Sequence, residues 1–503
     1  MLAECKGMAD HGADLVELRV DTLQTAVDFK LLLGKRPCPI IITCRRPEEG
    51  GNFKRTEQER IILLRTAIFE GADYVDLEYD VADKIPRYGK TQRIVSYHNF
   101  KETPENLDEI VEKMKQTDFD YLKICTMANS PSDNVRILNL IGSTGVKTIA
   151  FCMGQYGVPS RILCGAFGSP WTYACPEAQS AAAPGQIPLE QLKDLYQFNY
   201  IKKTTPVYGV IGDPIGHSMS PLIHNSAYAQ QEDDAVYVPF WVKPEQLESF
   251  ITQDAPALNV KGLSVTIPHK VAVIPFLDHA HPSIAKIGAC NTIVYNSDGT
   301  RSGFNTDYQA SMDAISGIFN WQEPLEILPD ENNGTGKCAQ TPLAGKTAFL
   351  LGAGGVSKAV AVGLKLRGAN IVLSDIDSSR AVELAEKLGG QSVEWEKRNQ
   401  VEFDLLVNCT PVGMYPQTND TPYNAEWMNA STEDKPLGSF DCVYNPEDTL
   451  FLKSAREKGW KTASGLDMFA GQAKLQYDLF IGQPGPMDVM RDAVRKATDA
   501  ARW

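Results

Sequence analysis

Short runs of β-branched and aromatic residues alternate with amphipathic stretches through the first 200 residues, and the alternation restarts at 207. Such alternation constrains a fold strongly, because parallel strands need crossover helices to join them. The candidate strands are DLVELRVD (14–21), PIIITCR (39–45), YVDLEY (74–79), RIVSYH (93–98), YLKICTM (121–127), KTIAFCM (147–153) and WTYAC (171–175). Helical patterns such as EQERIILLRTAIFEGA and PENLDEIVEKMKQT lie between them. So many repeats predict a (β/α)8-type barrel. The chain opens directly in a helical pattern, LAECKGMADHGA. The expectation is therefore a barrel lacking its first strand, with two unpaired edges.

A chain of 503 residues exceeds what one core organises. The expected division is a barrel over 1–198 and a linker over 199–206, at the end of PLEQLKDLYQFNYIKKTTP. A substrate-binding α/β domain follows over 207–320, completed by 476–503, with a Rossmann nucleotide-binding domain over 345–475. The Pro/Gly/Asn-rich stretch 322–344 reads as a mobile insertion. A net charge of −14 argues against nucleic-acid and anionic-membrane partners and leaves small molecules. The 11 cysteines contain no CxxC pair, so reduced thiols are expected, with no metal site. With no signal peptide pattern or apolar run of spanning length, a cytoplasmic location is expected. Oligomeric state is not legible.

Two sets of reactive residues stand out. In the first half, Lys123 lies inside YLKICTM and His98 ends RIVSYH, both at C-terminal strand ends, where barrel enzymes keep their chemistry. Burial lowers an amine pKa, so Lys123 reads either as a neutral nucleophile able to attack a carbonyl or as a strand-end residue whose ammonium reaches solvent. Glu17, Arg19, Arg45, Glu49 and Arg161 share that rim and suggest an anionic, hydroxylated substrate; structural ion pairing is the other reading. ADLVELRVD, ITCRRPEEGG, SYHNF, the YLKI lysine strand, SRILCGAFGS and AAPGQ, in this order, resemble type I 3-dehydroquinate dehydratase over 1–195. The resemblance implies an imine on Lys123 and proton transfers by His98, with Glu49 orienting it. It also implies a carboxylate clamp by Arg161 and grips on ring hydroxyls by Glu17, Arg19, Arg45 and Gln186. The family's lid usually reads Ser-Ala-Pro-Gly-Gln, whereas this chain has Ala182 at the serine position.

In the second half, Gly352-Ala353-Gly354-Gly355 follows the apolar run TAFLL and precedes the helical VSKAVAVGLKL. This is the context in which glycines let a pyrophosphate approach a helix N-terminus. Asp375, ending the next strand, can accept from a ribose diol and repels a 2′-phosphate; Arg380 follows it. GHSMSP, LSVTIPHK, GACNTIV, GFNTDY, NCTPVGM, DCVYNP and GLDMFAGQAKLQYDLF together resemble shikimate dehydrogenase over 207–503. The resemblance implies a Lys270–Asp307 catalytic pair and a substrate carboxylate on Ser218 and Ser220 near Tyr444. Ring hydroxyls fall to Thr266, Asn291 and Gln472, and the cofactor to Gly352, Ala353, Gly354, Gly355, Asp375, Thr410 and Gly465. No chemical role is expected for His217, His224, His269, His279 or His281. NADP is the family norm, carried by an Asn-Arg-Thr sequence; here Ser374, Asp375 and Ile376 stand instead and favour NAD.

The two chemistries join: dehydration of 3-dehydroquinate yields 3-dehydroshikimate, which the second module would reduce to shikimate. The alternatives are a catabolic quinate/shikimate dehydrogenase fused to a dehydratase, or a dehydrogenase carrying a non-catalytic barrel. Ser220 and Thr266 retain the bulkier hydroxyls associated with shikimate, and Lys123, His98 and Glu49 all survive.

Overall fold

The computed structural model describes residues 2–23, 25–177, 183–216, 218–321, 341–433 and 435–500. Ala182, His217 and most of the 322–344 stretch therefore lie outside the described residues. The chain forms two compact units, one comprising 1–207, 213–216 and 234–259 and the other 208–212, 217–233 and 260–503.

In the first unit, six parallel strands lie side by side in sequence order. They are Val16–Arg19 (β1), Ile40–Thr43 (β2), Tyr74–Glu78 (β3), Gln92–Asn99 (β4), Tyr121–Met127 (β5) and Thr148–Met153 (β6). β2 and β6 are buried at every position, which explains their unbroken apolar runs: a parallel strand covered on both faces has no polar side to show. Helices Glu57–Phe69, Leu107–Lys115 and Ser132–Ser143 cross between the strands. The first starts at a reciprocal capping box between Thr56 and Glu59, which satisfies two otherwise orphaned backbone donors.

The seventh expected strand shortens to Ala174–Cys175 (β7), which pairs with Ile187–Pro188 (β8) and does not join the main sheet. Its aromatic residues are engaged elsewhere. The Trp171 ring lies 4.9 Å from Tyr121 and 5.8 Å from Tyr74, and Tyr173 lies 5.8 Å from Phe151. These rings join Ile41, Ile94, Cys125 and Ile149 in one cluster under the rim. The segment just before the expected linker is packed: Leu192 and Tyr196 are buried, and Lys193 Nζ donates to His11 O at 2.9 Å.

The second unit holds two sheets. In the first, Val207–Gly212, Val260–Val265, Thr292–Tyr295, Arg301–Phe304 and His279–Ala280 follow in that spatial order. Helix Met487–Ala500 packs on helix Ser220–Gln231 beside it. The other sheet is wholly parallel, in the order Gln391–Ser392, Asn370–Ser374, Thr347–Leu351, Leu405–Asn408, Gly438–Asp441 and Lys461–Ala463. Relabelled in chain order this is 3-2-1-4-5-6, the doubly wound arrangement whose crevice opens between strands 1 and 4. Among the described residues no helix is long and apolar enough to cross a membrane.

Phe349, fully buried on one face of this sheet with Leu351, Leu406 and Phe451, measures what that core contributes. Phe349→Ala is expected to cost about 3–5 kcal/mol, read by denaturant unfolding. A loss below about 1 kcal/mol would show that this face is not packed as described.

Candidate active sites

At the C-terminal rim of the first sheet, a cleft is lined by Glu17, Arg19, Arg45, Glu49, His98, Lys123, Arg161 and Gln186. All eight first-half residues singled out in the sequence thus converge. Phe100, Cys125, Phe151, Met153, Tyr173 and Ala183 complete the lining. Parallel register does the positioning. Ser96 of β4 is opposite Lys123 of β5, and His98 is opposite Cys125, so Lys123 and His98 project inward from adjacent strands.

Lys123 Nζ donates to Asp76 Oδ2 at 3.0 Å, lies 3.6 Å from Glu17 Oε1, and sits 4.2 Å over the Tyr173 ring. Burial opposes the ammonium charge, but Asp76 and Glu17 outweigh it and hold the amine above its ordinary pKa. This corrects the expectation of a neutral amine: burial alone favours the uncharged form, whereas two carboxylates within 4 Å reverse the sign. Asp76 is held in turn. Its Oδ1 accepts from Arg45 Nη2 at 2.7 Å and from Ser96 Oγ at 2.6 Å. Against the desolvation that opposes it, the charges of Arg45 and Lys123 keep its carboxyl well below the usual range.

Arg45 also donates from Nη1 to Glu78 Oε1 at 3.0 Å and to Ser96 Oγ at 2.9 Å. Its guanidinium, which also lines the cleft, is thereby held by the carboxylates of Asp76 and Glu78. His98 Nδ1 and Glu49 Oε2 are 2.9 Å apart. Burial, then the positive charges of Arg45 and Lys123, depress the imidazole well below 6.5, so the ring is neutral. Nδ1–H faces the Glu49 carboxylate and leaves Nε2 as an acceptor. Glu49 is raised by its burial, against Arg45 and against Arg46, which donates to Oε1 at 2.8 Å. Arg161 is 1% exposed and stacks 4.5 Å from the Phe151 ring. Its Nη2 donates to Pro184 O at 3.3 Å, while Nε and Nη1 have no partner among the described residues. A buried guanidinium with two free donors at a cleft is an anion seat. Asp76 was missed in the sequence, although a carboxylate inside a buried strand was the signal that could have found it.

In the second unit, Lys270 Nζ donates to Asp307 Oδ2 at 2.5 Å. Lys270 follows strand Val260–Val265 through a short turn, and Asp307 sits in the first turn of helix Thr306–Ile318 behind the N-cap Asn305, where the helix dipole favours an anion. Asn291 joins them by accepting from Thr306 N at 2.8 Å and donating to Thr306 Oγ1 at 2.9 Å. Gln476, unnoticed in the sequence, accepts from Ser264 Oγ at 2.7 Å and donates to Asn291 O at 3.2 Å. Tyr444 stacks on Phe469 at 4.2 Å, and Gln472 donates to Phe469 O at 3.1 Å. Ser220 opens its helix with its N–H directed at Ser218 Oγ, 3.3 Å away. Thr266 is held through its backbone N–H, which donates to Ile211 O at 3.0 Å.

The glycine-rich turn fits a dinucleotide. Gly352 has φ +98°, and a Cβ there would lie 3.0 Å from Cys409 O, whereas Cβ atoms at Gly354 and Gly355 would meet open space. Helix Gly355–Leu366 starts directly behind, so its free N–H groups face that space. Thr410 is fastened to Asn408 Oδ1 through its N–H at 2.9 Å and its hydroxyl at 2.7 Å. Gly465 tolerates no side chain, since a Cβ would lie 2.4 Å from Val443 O. The Asp375 carboxylate bridges the turn by accepting from Ala353 N at 2.6 Å and Asp377 N at 2.8 Å. Among the described residues no cluster suited to a metal ion occurs.

A parallel half-barrel whose cleft buries a lysine, joined to a doubly wound unit with a dinucleotide turn and a lysine–aspartate pair, defines a two-module lyase–dehydrogenase. The family model described as Type I 3-dehydroquinase matches residues 1–203. The models for the Shikimate dehydrogenase substrate binding domain and the Shikimate 5'-dehydrogenase C-terminal domain match 210–293 and 465–495. The chain is 37% identical, over 97% of its length and 81% of the relative's, to the "Bifunctional 3-dehydroquinate dehydratase/shikimate dehydrogenase, chloroplastic" of Arabidopsis thaliana. It is 39% identical, over 58% of its length and 95% of the relative's, to a "Shikimate dehydrogenase (NADP(+))" of Oleidesulfovibrio alaskensis. A crystal structure of shikimate dehydrogenase in complex with NADP+ matches 59% of this chain and 97% of that one, at TM-score 0.51 and 29% identity. The chain belongs to the family of bifunctional 3-dehydroquinate dehydratase/shikimate dehydrogenases.

The Asp76–Lys123 contact makes a direct prediction. Asp76→Asn keeps the hydrogen-bonding shape and removes the charge, so Lys123 is expected to become reactive toward an amine-labelling reagent at lower pH than in the unaltered chain. Mass spectrometry of the labelled peptide across a pH series reads this, and superimposable profiles would contradict it.

Proposed function

We propose that the chain performs its two reactions in sequence on two separate lysines. The unpaired donors of the buried Arg161 carry the first reading: they seat the substrate carboxylate and set the ring across the cleft toward Lys123. Lys123 then condenses with the ketone of 3-dehydroquinate and releases water. The resulting imine withdraws electrons and acidifies the adjacent C–H. His98, neutral and held by Glu49, removes that proton through Nε2 and returns it to the departing hydroxyl. Water hydrolyses the imine and frees Lys123 with 3-dehydroshikimate. Because Asp76 holds Lys123 charged at rest, the amine must shed a proton before it attacks. Glu17, Arg19 and Gln186 line the cleft where ring hydroxyls would lie.

In the second module Ser218 and Ser220 would take the carboxylate near Tyr444, with Thr266, Asn291 and Gln472 on the ring hydroxyls. Lys270, its ammonium 2.5 Å from Asp307, donates a proton to the carbonyl oxygen of 3-dehydroshikimate, and Asp307 holds it in place. Bound at Gly352–Gly355, with Thr410 and Gly465 beside it, a reduced nicotinamide dinucleotide supplies the hydride. The relatives are named for NADP(+); in this chain the charge of Asp375 beside the turn favours NAD. The domain limits follow the sequence reading: barrel over 1–198, substrate-binding domain over 207–320 with 476–503, Rossmann domain over 345–475. The proposed compartment is the cytoplasm; "chloroplastic" in the name of the Arabidopsis relative describes that protein.

Three measurements test these roles. Borohydride added with 3-dehydroquinate is expected to leave a substrate-derived mass on Lys123, and a folded chain with no adduct would sink the imine. For the dehydratase, the acid limb of kcat/KM is expected below pH 6.5. The folded imidazole pKa is depressed, so His98 remains a base until the pH falls through that lowered value; a limb at or above 6.5 contradicts the assignment. Finally, Asp375→Ala is expected to raise the NADP-to-NAD ratio of kcat/KM by about tenfold, roughly 1.4 kcal/mol, and an unchanged ratio would remove the argument for NAD.

A further inference from the structure

Two thiols that neither reaction uses lie side by side at the dinucleotide end of the doubly wound sheet. Cys409 follows Leu405–Asn408 and Cys442 follows Gly438–Asp441, neighbouring strands on which Asn408 is opposite Asp441. The Cys442 N–H donates to Asn408 O at 2.9 Å, which locks the two chain segments together. The Sγ atoms are 3.8 Å apart, and both residues are partly exposed. Neighbouring strands lie about 4.8 Å apart, within the ~4.4–6.8 Å between Cα atoms that a disulfide spans. Closing the bond therefore takes rotation of the two side chains and a small displacement of the loops that carry them.

Those loops support the cofactor seat. A Cβ at Gly352 would lie 3.0 Å from Cys409 O, and one at Gly465 would lie 2.6 Å from the Cys442 carbonyl carbon. The Cys409 backbone thus backs the glycine-rich turn, and the Cys442 backbone backs the start of the helix that carries Gln472. The adjacent Cys409 thiol, burial, and the charges of Asp441 and Asp307 all push the Cys442 thiol up.

We propose that Cys409 and Cys442 form a redox-sensitive dithiol, a modification site for small disulfides of the glutathione class, whose closure weakens dinucleotide binding by the second module. The Cys409 thiolate attacks one sulfur of the disulfide, forming a mixed disulfide and expelling one thiolate. The Cys442 thiolate then attacks Cys409 Sγ and expels the second. Two protein thiols are oxidised, one external disulfide is reduced by two electrons to two thiols, and the protons lost by the cysteines end on those thiols. The consequence for binding rests on the dehydrogenase reading, whereas the dithiol itself does not.

The test uses the full chain in glutathione buffers of increasing oxidised fraction, with free thiols then alkylated and the protein digested. A peptide linking Cys409 to Cys442, two hydrogens lighter than the separate peptides, is expected. Affinity for reduced nicotinamide dinucleotide, read by its fluorescence, is expected to fall on the order of tenfold. Dithiothreitol should reverse both changes, and dehydratase turnover should stay constant. Cys442→Ser and Cys442→Ala should each remove the linkage and the redox sensitivity of binding. The proposal is overturned if no linked peptide forms in buffers that oxidise the urea-unfolded chain. It is equally overturned if glutathione remains on Cys409 without linkage, or if the linked protein binds dinucleotide as tightly as the reduced one. A reduced chain that binds no dinucleotide contradicts the dehydrogenase reading and this consequence with it; a missing linkage contradicts the dithiol alone.

Discussion

Asp76 sits between Lys123 and Arg45, and much of the first module depends on that arrangement. All three side chains are at most 4% exposed, and an isolated charge at such depth would cost several kcal/mol. Each is tolerable only because the others lie within hydrogen-bonding distance. The partners come from consecutive strands: Arg45 from the end of β2, Asp76 and Glu78 from β3, Ser96 from β4 and Lys123 from β5. A slip of one residue between any two strands would turn a member to the opposite face and strand the rest. The network thereby specifies register as well as chemistry, while the aromatic cluster of Tyr74, Tyr121 and Trp171 supplies apolar packing beneath it.

Both modules pair a lysine with an aspartate, Lys123 inside β5 and Lys270 in the turn after Val260–Val265, and the proposed chemistry asks opposite things of the two pairs. In the proposed reduction Lys270 needs its proton, because it would donate to an oxygen that gains negative charge; Asp307 accepts from it at 2.5 Å. Lys123 must lose its proton to become a nucleophile, yet Asp76 and Glu17 favour the charged form. The imine chemistry proposed for Lys123 therefore requires that this proton leave first. In the proposed dehydration Arg161 would seat the anion, and His98, which burial keeps unprotonated beside Glu49, would be the base.

Much of this was legible in the sequence because it depends on local pattern. Strand-like runs located six strands of the first sheet, and rim residues read with the family resemblance located all eight members of the cleft. The glycine-rich turn was readable from a strand before it and a helix after it. What escaped depends on partners far away in the chain. The charge of Lys123 is set by Asp76, 47 residues earlier, so burial alone suggested the wrong protonation state. The seventh strand looked extended, but Trp171 and Tyr173 find better packing on neighbouring rings than in a ladder. Asp375 was identified by position, whereas its bridge to Ala353 needed the turn to be folded.

The central claim is that one chain converts 3-dehydroquinate to shikimate through two lysine sites. It is tested most directly by giving the purified chain 3-dehydroquinate together with reduced nicotinamide dinucleotide and following substrate, product and cofactor together. One cofactor is expected to be oxidised for each 3-dehydroquinate consumed, with shikimate as the product. Consumption of 3-dehydroquinate without cofactor oxidation, or oxidation that appears only when 3-dehydroshikimate is supplied, would contradict it.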